Sequence, residues 1–93
     1  MDSLPTGPVR ITLIHNEPSC RKCRETKAIL DAVVAESAGC CVLDTLTLAE
    51  AYEAGLGAVL TPTVLLDGRV LCAGIVPRKD GVLRVLRRYP SLL

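Results

Sequence analysis

Cys20-Arg21-Lys22-Cys23 is where residue type and spacing together point to chemistry. Two cysteines three residues apart lie on one side of a helix, one turn apart, and can close a small disulfide ring. At a helix N-terminus, unpaired N–H groups and a partial positive charge favour an anion. A thiolate at Cys20 would be stabilised there, and the thiolate is the nucleophile. Arg21 and Lys22 add two positive charges beside it, which tunes the thiol toward ionisation. Cys23 would sit deeper and react more slowly. Dithiol exchange needs that asymmetry, with one attacking sulfur and one resolving sulfur within reach. The spacing alone says little in a chain with five cysteines. Its position along the chain gives it weight.

The segment before it, Val9-Arg10-Ile11-Thr12-Leu13-Ile14-His15, alternates apolar and polar residues, is rich in β-branched types and reads as a strand. Asn16 to Ser19 break it with turn formers. From about Cys20 to Ala38 the period becomes helical, with Ala28, Ile29, Val33 and Val34 on the apolar side. Ser19 is the expected N-cap and Gly39 the expected stop. Cys40 to Asp44 reads as a short buried strand. Thr45 or Thr47 then caps a short helix through Ala49–Ala54, ending at Gly55 or Gly57. Thr61-Pro62 leads into a strand over Thr63–Leu66, Asp67-Gly68 signals a tight hairpin, and Arg69–Ala73 returns. Pro77 or Arg78 opens a last helix whose Val82, Val85 and Leu86 alternate with Arg84, Arg87 and Arg88.

The order strand, helix, strand, helix, strand, strand, helix implies a parallel βαβ unit with a right-handed crossover, followed by an antiparallel hairpin and a helix. The expected fold is α/β, a βαβαββα chain forming a four-stranded mixed sheet with helices on both faces. Residues 1–8 read as a lead-in and 9–93 as one domain.

The remaining chemically capable residues have plainer readings. Proline is tolerated at the first residue of a strand, so Pro62 marks a boundary. Cys40, Cys41 and Cys72 fall in expected strands and read as core filling. His15 ends the first strand close to the expected dithiol and reads as a partly exposed loop-edge residue rather than a proton shuttle, although an imidazolium there would lower a neighbouring thiol pKa. Glu17 reads as loop solvation, and Arg84, Arg87 and Arg88 as a solvated helix face.

Composition narrows the function classes. At 93 residues, with 49% hydrophobic and 23% charged, the chain is an ordinary globular domain. A net charge of +1 leaves no footprint for nucleic acid. The absence of Phe and Trp removes the usual stacking platforms for single strands. The first residues do not read as a secretory signal, and no apolar run spans a bilayer. An odd number of cysteines fits a reduced, cytoplasmic setting better than a disulfide framework.

A CxxC opening the first helix, a Thr-Pro leading into a hairpin with an Asp-Gly turn, and a closing helix together resemble the thioredoxin-like superfamily. The likeness is to its smallest thioredoxin/glutaredoxin-like redox members and runs from about Val9 to Tyr89. It implies a cis Pro62 packed beside Cys20 and Cys23. Thr61 and Pro62 would then shape a substrate groove in which the Thr61 backbone bonds a substrate peptide. Ser19 stands where thioredoxins carry Trp, and Arg21-Lys22 where they carry Gly-Pro. Gly74 to Asp80 replace the Gly-Gly-Asp signature of glutaredoxins, although Arg78, Lys79 and the last helix N-terminus offer a place for a carboxylate.

The expected function is therefore thiol–disulfide exchange without a cofactor or a metal. Its partners would be a disulfide-containing protein or small molecule and an external reductase. Cationic neighbours that stabilise the Cys20 thiolate would raise the reduction potential above that of thioredoxin. Two other classes use the same residues. The CxxC thiolates can bind Cu(I), zinc or an iron–sulfur cluster, though metallochaperones carry a Met two residues before the first Cys, where this chain has Pro18. A thioredoxin-fold binding module is the other.

Overall fold

The computed structural model describes residues 8–16, 21–37, 41–56 and 60–88. The elements are β1 (Val9–His15), α1 (Arg21–Glu36), β2 (Cys41–Thr47), α2 (Leu48–Glu53), β3 (Thr63–Leu66), β4 (Arg69–Ala73) and α3 (Lys79–Arg88). The alternating residues of β1 form the central seam of a four-stranded sheet ordered β2-β1-β3-β4. β1 runs parallel to β2 and antiparallel to β3, and β3 antiparallel to β4. This is the expected mixed α/β sheet.

Pleating sends Ile11 and Leu13 of β1, with Val64 and Leu66 of β3, to one face. There they meet Leu30 and Val33 of α1 and Val82 of α3. Ile14 and Leu65 point to the other face and pack on Ala51 of α2. Each large aliphatic side chain so buried contributes roughly 1.5–3 kcal/mol, so the α1/α3 side carries most of the core. Helices cover both faces, and β1 is held between them.

The buried stripe of α1 is Cys23, Thr26, Leu30 and Val33, and Ala28 is exposed, which corrects its expected place on the apolar side. Thr26 enters the stripe because its Oγ1 donates to the Lys22 carbonyl at 2.8 Å, which removes the cost of burying a hydroxyl. The second strand runs on to Thr47, past the expected end at Asp44, because pairing with β1 continues through Thr45, Leu46 and Thr47. Thr47, not Thr45, caps α2. Its Oγ1 accepts from the Glu50 N–H at 3.1 Å, and Glu50 Oε1 accepts from the Thr47 N–H at 2.8 Å. Gly55, at φ 77°, ends α2: its N–H donates to Tyr52 and that of Leu56 to Ala51, both at 3.0 Å. The last helix starts at Lys79, just past the expected Pro77 or Arg78. Ser19, Gly39 and Cys40 lie outside the described residues.

Asp67 and Gly68 both have positive φ, 48° and 86°, which defines the type I′ hairpin expected from the dipeptide. Asp67 also extends the ladder to β1. Its N–H donates to the Arg10 carbonyl at 2.8 Å, and its Oδ1 accepts from the Arg10 N–H at 2.9 Å. Asp67→Ala loses the second bond and puts a less tolerant residue in the left-handed region, at an expected cost of about 1–2 kcal/mol. Urea melts of Asp67→Ala and Asp67→Asn check this, with Asn retaining most of the stability.

Candidate active site

Strand register gathers the candidate residues at one end of the sheet. Ile14 pairs with Thr63, so the start of β3 lies beside the end of β1, where the chain leaves for α1. Thr63 pairs in turn with Ala73, and His15 with Thr47. Just before Thr63, the Thr61–Pro62 peptide bond is cis. Pro62 is fully buried and Thr61 half-buried. The Pro62 carbonyl accepts from the Gly74 N–H at 2.7 Å, and the Thr63 Oγ1 donates to the Leu60 carbonyl at 2.6 Å. These bonds fix the approach to β3 from both sides. Thr61, Pro62 and the first turn of α1 thus share one end of the fold.

In that turn Cys23 is buried, with 2% exposure, at the head of the α1 stripe. Arg21 and Lys22 are exposed. Arg21 Nε lies 3.4 Å from Glu25 Oε2, so part of its charge is balanced within the helix. Cys20 and Glu17 lie outside the described residues.

A cavity of about 420 Å³ opens beside Cys23, along α1 toward β2. Leu13 and His15 of β1, Thr45 of β2, and Cys23 and Lys27 of α1 line it. His15 is half-buried at the end of β1, as expected, and the structure adds the cavity that it shares with Cys23. Two signals point to it: Leu13 and His15 fall on one face of a strand, and Cys23 and Lys27 lie one helical turn apart. The Leu13–Thr45 pairing that closes its other wall follows from the β1–β2 register alone.

The remaining residues have structural roles. Cys41 is buried in the core on the α1/α3 side. The register of β3 with β4 shifts between Val64 and Leu65, which leaves Leu71 as an extra residue. Leu71 and Cys72 both pack against that core as a result. Lys79 pairs with the Glu36 carboxylate of α1, so the carboxylate it holds is the chain's own. Arg84 and Arg87 are exposed, as a solvated helix face requires.

Desolvation raises the Cys72 thiol above its ordinary value, against a smaller lowering from a hydrogen bond with the Val64 backbone. A raised native pKa means the folded chain favours the protonated thiol. Its contribution to stability is complete below the pKa of the unfolded thiol and is lost as pH rises through the raised native value. Cys72 is therefore expected to alkylate more slowly at pH 8 than the same thiol in urea. Cys72→Val is expected to flatten the alkaline fall in stability, read as urea midpoints from pH 8 to 10.

Among the described residues, no helix is long and apolar enough to cross a membrane. No curated protein matches the chain. A family model described as a thioredoxin domain matches residues 9–87. That span takes in all four strands, α1 and α2, and all but the last residue of α3, so the chain belongs to the thioredoxin-domain family.

Proposed function

We propose that the chain is a thiol–disulfide oxidoreductase of the cytoplasm in which Cys20 is the attacking thiolate and Cys23 the resolving thiol. The observation that carries this reading is the burial of Cys23 in the first turn of α1, at the sheet end where Thr61 and Pro62 lie. A sulfur so placed is shielded from bulk oxidants and competing disulfides, yet stays within one turn of a partner at position 20. The family to which the chain belongs is generally one of oxidoreductases, in keeping with this chemistry.

In the proposed cycle the Cys20 thiolate attacks a substrate disulfide. One substrate sulfur leaves as a thiolate, and the other remains bonded to Cys20. Cys23 then attacks Cys20, closing a Cys20–Cys23 disulfide and releasing the second substrate sulfur reduced. An external dithiol reductase returns the pair to the reduced state. Thr61 and Pro62 line the groove that receives the substrate, a disulfide-bearing protein or small molecule. Arg21 and Lys22 favour the Cys20 thiolate, Lys22 more strongly because Glu25 balances Arg21.

Reduction of insulin disulfides with dithiothreitol as the external reductant tests this. The wild-type chain is expected to accelerate the reaction, and Cys20→Ser to bring it back to the uncatalysed rate. Acceleration that survives Cys20→Ser contradicts the reading.

A further inference from the structure

A buried resolving thiol raises a question that its position alone does not answer: where its proton goes. Cys23 is 2% exposed, so a base in bulk solvent meets it only through an opening. The cavity beside α1 is such an opening, and its volume of about 420 Å³ is ample for water. His15, half-buried at the end of β1, lines the same cavity. We propose that His15 accepts the Cys23 proton across this cavity during the resolving step; the role rests on the dithiol reading above.

The ring is set up for it. His15 Nδ1 lies 3.0 Å from the Asn16 carbonyl oxygen. A carbonyl can only accept, so the neutral ring carries its hydrogen on Nδ1 and keeps a lone pair on Nε2. The backbone thus selects the tautomer that is a base at its outer nitrogen.

Among the described residues, the other charged groups that line the cavity come from α1: Arg24, Lys27 and Asp31. Arg24 and Lys27 are cations and accept no proton. Asp31 Oδ2 is 2.9 Å from Lys27 Nζ and sits eight residues along α1 from Cys23, about 12 Å along the axis. Thr45 of β2 brings a hydroxyl and no charge. Among the described lining groups, His15 is the base suited to the thiol.

The step balances. The Cys23 thiol gives its proton to His15 Nε2, and the electron pair left on sulfur attacks Cys20 Sγ. The Cys20–Cys23 bond forms while the bond between Cys20 and substrate breaks. The departing substrate sulfur takes the electron pair of the broken bond and leaves as a thiolate, so it is reduced while the two cysteines are oxidised together. His15 then returns its proton to solvent through the cavity mouth.

Rapid mixing of the reduced chain with 5,5′-dithiobis(2-nitrobenzoate) separates the two steps, because each releases one coloured thiolate. In the wild-type chain a fast first release is expected from attack by Cys20, and a second from resolution by Cys23. His15→Gln is expected to leave the first release within about 2-fold and slow the second about 100-fold, the scale of general-base assistance. The second rate is expected to climb more steeply with hydroxide in His15→Gln than in the wild-type chain, because only the variant must draw its base from solvent. Added imidazole is expected to restore the second release in His15→Ala, which a merely structural role for the ring would not allow. A second release unchanged by His15→Gln overturns the proposal, as does a slowed one with the wild-type pH profile and no imidazole rescue. A wild-type chain that never gives the second release overturns the dithiol reading itself, before any His15 variant is made, and this role with it.

Discussion

Cys23→Ser is expected to stop the chain after a single attack, leaving it covalently bound to its substrate. The expectation follows from dividing the chemistry between two sulfurs. Serine keeps the size and burial of the position but cannot displace a disulfide sulfur, so the mixed disulfide through Cys20 persists. Multiple-turnover reduction of insulin should fall by at least about 1000-fold, while the first release from a chromogenic disulfide continues. Cys20→Ser should lose both. The double variant should lose no more than Cys20→Ser alone, because residues that act as a unit are not additive. Non-reducing electrophoresis and intact mass report the trapped adduct directly. An adduct that survives Cys20→Ser, or turnover that survives Cys23→Ser, would place the chemistry elsewhere.

Leu30→Ala is expected to be the most damaging single truncation in α1. Leu30 is fully buried on the α1/α3 side, among Ile11, Leu13, Val64 and Val82. Removing its isobutyl group forfeits the transfer free energy and leaves a cavity, a combined cost of about 3 kcal/mol. For a domain of this size each kcal/mol lowers Tm by roughly 4–8 °C, so a fall of about 12–24 °C is expected. Ile29, half-buried on the same helix, should cost about half as much. Thermal melts decide it. A loss below about 1 kcal/mol at Leu30 would mean the helix does not pack as described.

Much of the fold is legible in the residues because local signals agree. The alternation over Val9–Leu13 and the Asp67-Gly68 turn each define an element without tertiary help, whereas the choice of Thr47 over Thr45 as the cap of α2 waits on the structure. The sequence pattern fails where burial depends on partners. Ala28 looks apolar but lies off the stripe, whereas Thr26 looks polar and is buried because it bonds the Lys22 carbonyl. The end of β2 is hidden for a related reason. Asp44 and Thr45 are exposed, so backbone pairing with β1 extends the strand where no apolar run marks it. At the site, the cysteine pair is conspicuous in the sequence and the space beside it is not. Leu13 and Thr45 meet through a register set across α1, so no stretch of neighbouring residues carries the signal.

The central claim is that Cys20 and Cys23 form one reversible dithiol. Equilibrating the chain in dithiothreitol buffers of stepped potential, quenching with an alkylating agent and mapping the peptides by mass tests it most directly. One two-electron transition is expected. Its oxidised form should carry a Cys20–Cys23 bridge, and Cys41 and Cys72 should remain as thiols throughout. An oxidised form in which position 20 is alkylated or bridged to a third cysteine would contradict the claim. So would stoichiometric metal in the purified chain that Cys20→Ser removes.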